Sequence, residues 1–112
     1  MVGSILARND QMILDNGMHL RLLSAMEVLQ ARREAAAMAE ERKERALCSN
    51  ACLLARALTI DDEPVFQDGR AVLEGLTVAE IAALSRQWHD FDRAENPALN
   101  LEQQELETVK KN

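Results

Sequence analysis

Alanine and leucine fill 33 of the 112 positions. Two capping boxes precede apolar runs, and an Asn-Gly pair stands near the N-terminus. Together these predict a mainly α fold: a small helical domain of three to five helices with a short N-terminal β-hairpin over about residues 11–22. With aromatics at 3%, no Tyr, four Gly and two Pro, the chain lacks the turns and β-branched or aromatic strands of an all-β sandwich or barrel. Its length suits one domain. Residues 1–97 read as that domain, and residues 98–112 as a polar C-terminal tail.

Asn16-Gly17 lies between Gln11–Asp15 and Met18–Leu22, where Leu20 and Leu22 alternate with His19 and Arg21. Asn-Gly accepts the positive φ of a tight turn, so the segment reads as a hairpin. The competing reading is a helix from Ile5 to Leu14 ended by Asn16-Gly17. Ser24-Ala25-Met26-Glu27 starts the first helix, whose apolar stripe is Val28, Ala31, Ala35 and Met38. A second stripe, Leu47, Ala51, Leu54 and Leu58, is out of phase with the first. Nine residues from Met38 to Leu47 turn a helix by about 900°, onto its opposite face. Either the chain turns within Glu40–Glu44, giving two packed helices, or one long helix buries different faces in its halves.

Asp61-Asp62-Glu63-Pro64 ends the helical region. Val65-Phe66-Gln67 reads as an extended piece closed by an Asp68-Gly69 turn, and Arg70–Glu74 as one helical turn ending at Gly75. Thr77-Val78-Ala79-Glu80 is the second capping box. Behind it Ile81, Leu84, Trp88 and Phe91 recur at helical spacing, until Asn96-Pro97 stops the helix. Asn100–Gln103 could cap a last short helix, in a tail polar enough to fray or to order only on a partner.

The net charge of −6 is uneven: residues 1–60 carry +1 and residues 61–112 carry −7 by count of their charged side chains. An acidic second half repels nucleic acid and anionic headgroups. No apolar run approaches a membrane span, and Met1–Asp10 has neither the basic start nor the apolar core of a signal peptide. The expected setting is therefore a cytoplasm, with Cys48 and Cys52 reduced.

Catalytic and metal chemistry find little support. Cys48 and Cys52 are spaced like zinc ligands, but a site needs two more, and neither His19 nor His89 is near in sequence. Buried small hydrophobes account for them better. His89 sits beside Asp90, yet neighbours on a helix point about 100° apart. No nucleophile motif or Gly-rich phosphate loop is present. No enzyme activity, cofactor or metal is expected. Leu76–Leu84 resembles the first helix of a helix-turn-helix, but Ser85–His89 continues that helix, and acids follow where a basic recognition helix belongs. The mixed charges over Ala31–Arg45, four acidic and five basic, suit a solvated face or the rim of a partner groove.

What remains is an interaction protein. Leu22–Leu29 (LLSAMEVL), Arg45–Leu58 (RALCSNACLLARAL) and Val65–Gly69 (VFQDG) come in that order. Val72-Leu73, Leu76-Thr77, Glu80-Ile81, Leu84, Trp88, Phe91 and Asn96-Pro97 follow them. Over Leu20 to Pro97 this series resembles the small tail assembly chaperones of long-tailed bacteriophages and prophages. The resemblance implies a helical, non-enzymatic protein in the cytoplasm of the bacterial host. Such a protein binds the coiled-coil-prone tape measure protein, keeps it soluble and helps recruit tail tube protein. The family contributes no catalytic residue. A chaperone of this kind needs an apolar groove rimmed by charge. Val28, Ala35 and Met38, with Arg32 and Arg33 as rim, are the expected partner-binding residues. The competing account is that they pack against the second helix. Two other readings are an acidic phage protein that inhibits a host nucleic-acid enzyme, and a structural head or tail connector. Self-association is compatible with the thin aromatic core.

Overall fold

The structure, a computed structural model, describes residues 10–95. Its elements in order are strands β1 (Gln11–Ile13) and β2 (His19–Arg21), helix α1 (Ala25–Met38), a 3-10 turn (Arg42–Glu44) and helix α2 (Arg45–Ala57). Strands β3 (Leu58–Ile60) and β4 (Glu63–Pro64) and helices α3 (Gly69–Gly75) and α4 (Val78–Glu95) complete the chain. The fold is mainly helical with an N-terminal antiparallel hairpin, as composition and capping predict.

The hairpin turns differently from a two-residue Asn-Gly loop. Leu14 and Met18 still pair, with Leu14 N–H donating to Met18 C=O at 2.8 Å, so Asp15-Asn16-Gly17 is a three-residue loop. Gly17 alone among the three has positive φ, +83°, the position where such a loop needs glycine. The helix reading of Ile5–Leu14 fails over Gln11–Leu14; Ile5 to Asn9 lie outside the described residues, as does the proposed stop at Asn96-Pro97 and everything after it.

The hairpin belongs to a larger sheet that the sequence did not announce. β3 and β4 form a second hairpin, and the strand order is β1-β2-β3-β4, antiparallel throughout. Leu58, expected as the last residue of the second helical stripe, is instead the first residue of β3 and pairs with Leu20. Asp61-Asp62, expected to end a helix, makes the two-residue turn, with φ of 51° and 67°; aspartate tolerates this left-handed region better than most residues. Leu20 and Leu58 share the inner face and are fully buried. Asp68-Gly69 is no turn either. The Asp68 side chain accepts from Ala71 N–H at 2.9 Å and caps α3.

Both capping boxes form. Ser24 Oγ accepts from Glu27 N–H while Glu27 accepts from Ser24 N–H; Thr77 and Glu80 do the same for α4. Two packed helices, rather than one long one, occupy residues 25–57. The chain leaves α1 at Ala39, in extended conformation. Glu44 then draws it round, its carboxylate accepting from the Glu40 N–H at 2.9 Å. After this break the first stripe packs on a face of α2 other than its expected stripe: Ala31 and Ala35 of α1 meet Cys48 and Cys52 of α2, with Met38 and Leu73 against them.

Helix α2 is the centre of the molecule. Seven of its thirteen residues are buried, and it packs against α1, α3 and α4. On its other side Ala51, Leu54 and Ala57 join Leu20, Leu58, Val72, Ile81 and Trp88 in the main core. Glu34 of α1 joins three helices: it accepts from Arg56 of α2 at 2.7 Å and from the Gly69 N–H of α3 at 2.9 Å. Trp88 ties α4 to the sheet. Its indole N–H donates to the Arg21 C=O at 2.8 Å, a carbonyl that lies past the point where β3 gives way to α2.

Candidate functional site

The five expected partner-binding residues do not share one groove. Ala35 is 3% exposed and packed between α1 and α2, so it is unavailable to a partner. Met38 is half-buried, with its Sδ 3.6 Å from Cys52 Sγ, and opens on a small pocket near Glu44 and Arg70. Arg33 is exposed. Val28 and Arg32 alone meet in a larger feature. The reason is angular: a stripe at 3–4 spacing is the face that two packing helices bury, so its centre goes to the core and only its flank stays open.

That larger feature is a groove of about 610 Å³ between α1, α2 and α4. Val28, Ala31, Leu53 and Trp88 supply its apolar lining, and Arg32 and Arg86 approach from opposite helices. His89 lies over Trp88 edge-on, ring centroids 5.1 Å apart at 82°. Asp90 of the same groove is engaged by Arg93 at 2.6 Å.

A second groove, of about 360 Å³, lies on the opposite flank of α4, beneath the first hairpin. Met12, Leu14, Met18, Leu76 and Leu84 line it, with Ile13 at its rim. Ile13 is 75% exposed. The neighbouring strand edge is open. Because Leu14 pairs with Met18 and Asp10 with Leu22 through main-chain bonds, the alternation of an antiparallel ladder directs the N–H and C=O of Gln11 and Ile13 away from β2. The opposite edge is closed: β4 is two residues long and ends in Pro64, which has no N–H to offer. Sequence reasoning missed this groove. Alternation in the hairpin signals it, since Met12 and Leu14 fall on the Leu20 face, but Leu76 and Leu84 read equally well as core.

The thiols are packed like small hydrophobes. Both are free and buried. Burial, with Glu34 nearby, pushes the Cys52 thiol up to about 12, which keeps it protonated at neutral pH. Burial raises Cys48 as well. Among the described residues no group of three or more His, Cys, Asp or Glu is placed to hold a metal ion, and no helix is long and apolar enough to cross a membrane. The helix-turn-helix likeness of Leu76–Leu84 goes no further, because α4 runs unbroken from Val78 to Glu95.

Fold and grooves together describe a small helical protein built around a central helix, with two surface grooves flanking its last helix. No known protein family, curated protein or solved structure matches the chain.

Proposed function

We propose that this protein is a non-catalytic assembly chaperone, and that it shields an apolar stripe of a helical client. The observation that carries this reading is the second groove: a concave apolar surface with two methionines, Met12 and Met18, beside an exposed Ile13. Methionine adapts its flexible thioether to varied surfaces, which suits temporary cover. The class of client comes from the resemblance of Leu20–Pro97 to phage tail assembly chaperones. On that reading the client is the tape measure protein, with tail tube protein recruited later, and the work is done in the cytoplasm of the bacterial host.

Co-expression with a phage tape measure protein tests the proposal. The client should move into the soluble fraction when this chain is present, and lose that benefit when Ile13→Asp puts a charge at the groove rim. Ile13 is exposed enough for the variant to fold. A client equally insoluble with and without the chain defeats the reading.

A further inference from the structure

We infer that the groove between α1, α2 and α4 is a second docking site, for an acidic amphipathic segment of a partner protein, with Arg32 and Arg86 selecting its carboxylates. The argument is one of charge. The groove holds three arginines, Arg32, Arg86 and Arg93, against two acids, Asp90 and Asp92. Arg93 is paired with Asp90, and Asp92 has a partner of its own. Among the described residues Arg32 and Arg86 make no hydrogen bond or ion pair. Among the described residues of a chain with net charge −6, α1 and α4 thus each bring one guanidinium without an ion-pair partner to the same concavity.

Between the two cations the lining sets an apolar face of Val28, Ala31, Leu53 and Trp88 beside the polar Ser49 and Asn50. Leu29, 43% exposed, lies about 60° beyond Arg32 around α1 at the helical pitch, extending that wall. An apolar lining with cationic walls matches a helix whose leucine stripe is edged by glutamates. Guanidinium binds carboxylate in a two-pronged geometry and is less strongly hydrated than an ammonium, so arginine is suited to this task. This site is separate from the apolar groove of the proposed function, and either could fail without the other.

Trp88 is the sole tryptophan of the chain and lines the groove, so its emission reports occupancy directly. The probes are two synthetic amphipathic helical peptides with the same leucine stripe, one edged by glutamates and one by lysines. The glutamate peptide should shift Trp88 emission and bind more weakly as salt is raised. Its affinity should fall at least about tenfold in Arg32→Glu/Arg86→Glu, by loss of attraction and gain of repulsion. Arg42→Glu, exposed on the 3-10 turn outside the groove, should bind as the wild type does. Circular dichroism checks that the variants fold. Equal binding of both peptides, binding indifferent to the double reversal, or no Trp88 response to either peptide overturns the inference. So does binding of the glutamate peptide only by a chain ending at Pro97, since residues 98–112 would then be the occupant. None of these outcomes bears on client solubility, which tests the other groove.

Discussion

At the scale of single residues, Gly69 is the most crowded of the described glycines. A Cβ placed there would lie 2.4 Å from Cys52 Sγ and 3.2 Å from both the Cys52 Cα and Glu34 Oε2. The glycine lets the start of α3 rest directly on α2, close enough for its N–H to reach Glu34. Gly69→Ala should therefore cost about 1–3 kcal/mol by overpacking. Its cause can be isolated, because the worst contact is with a sulfur that Cys52→Ala removes. Cys52→Ala alone should also destabilise, since it vacates space in a buried cluster. In the double variant the added methyl occupies part of that space, so its loss should be clearly smaller than the sum of the two single losses. Urea denaturation of the four proteins measures this. Additive losses would mean that the sulfur is not the obstacle.

At the scale of elements, the helices and the Asn-Gly hairpin were legible and the second strand pair was not, for a physical reason. Capping boxes are local: Ser24 with Glu27, and Thr77 with Glu80, satisfy backbone amides three residues away, so four letters suffice to see them. The long stripe Ile81, Leu84, Trp88, Phe91 is legible on the same ground. β3 is the contrary case. Leu58-Thr59-Ile60 follows a helix without glycine or proline, and what makes it a strand is pairing with Leu20 and His19, some forty residues earlier in the chain, and with the two-residue β4. Its turn, Asp61-Asp62, looks like a helix-ending acidic run until both residues are seen at positive φ. For the candidate sites, Val28 and Arg32 were legible as the flank of a stripe, whereas Arg86 and the Met12–Leu84 groove depend on which elements meet. The open edge of β1 yields a test of the ladder itself. Ile13 directs its N–H outward and Met12 directs its N–H to Leu20. Proline at 13 removes no ladder bond and should cost no more than about 1 kcal/mol, as edge prolines do. Proline at 12 removes one and should cost about 3 kcal/mol or more. Thermal unfolding of Ile13→Pro and Met12→Pro compares them; a larger loss at 13 than at 12 would shift the register by one residue, and equal losses would mean that neither N–H matters to the ladder.

Across the whole molecule, the sheet and the helical layer are held together by few polar contacts, and one of them responds to acid. Arg21 of β2 grips Glu27 in the first turn of α1 through both guanidinium nitrogens, while Glu27 also accepts from Ser24 N–H. The Arg21 contact holds the Glu27 carboxyl down to about 2, from an ordinary value of 4.5; burial opposes the shift and the Ser24 amide assists it. A carboxyl whose folded value is depressed stabilises the fold above its ordinary value, and that contribution drains away as pH falls from about 4.5 toward about 2. The chain's net charge works in the other sense at first, since protonating surplus acids on a −6 molecule relieves repulsion. Stability should therefore change little from pH 7 toward 5 and fall steeply below about 4.5. Glu27→Gln separates the two effects, because glutamine keeps the capping hydrogen bond while losing the charge and one of the two acceptors that Arg21 uses. At pH 7 the variant should be less stable by about 1–2 kcal/mol, the worth of a charged hydrogen bond whose partners are about one-third exposed. Near pH 2 the charge-dependent part of the gap should nearly vanish, to about one-eighth of its neutral value, since the folded carboxyl is then half protonated and the unfolded one almost wholly so. Urea midpoints of both proteins across this range decide it. A gap that stays constant down to pH 2 would place the stabilisation in the shape of the side chain rather than in its charge, and the join between sheet and helices would then be insensitive to acid.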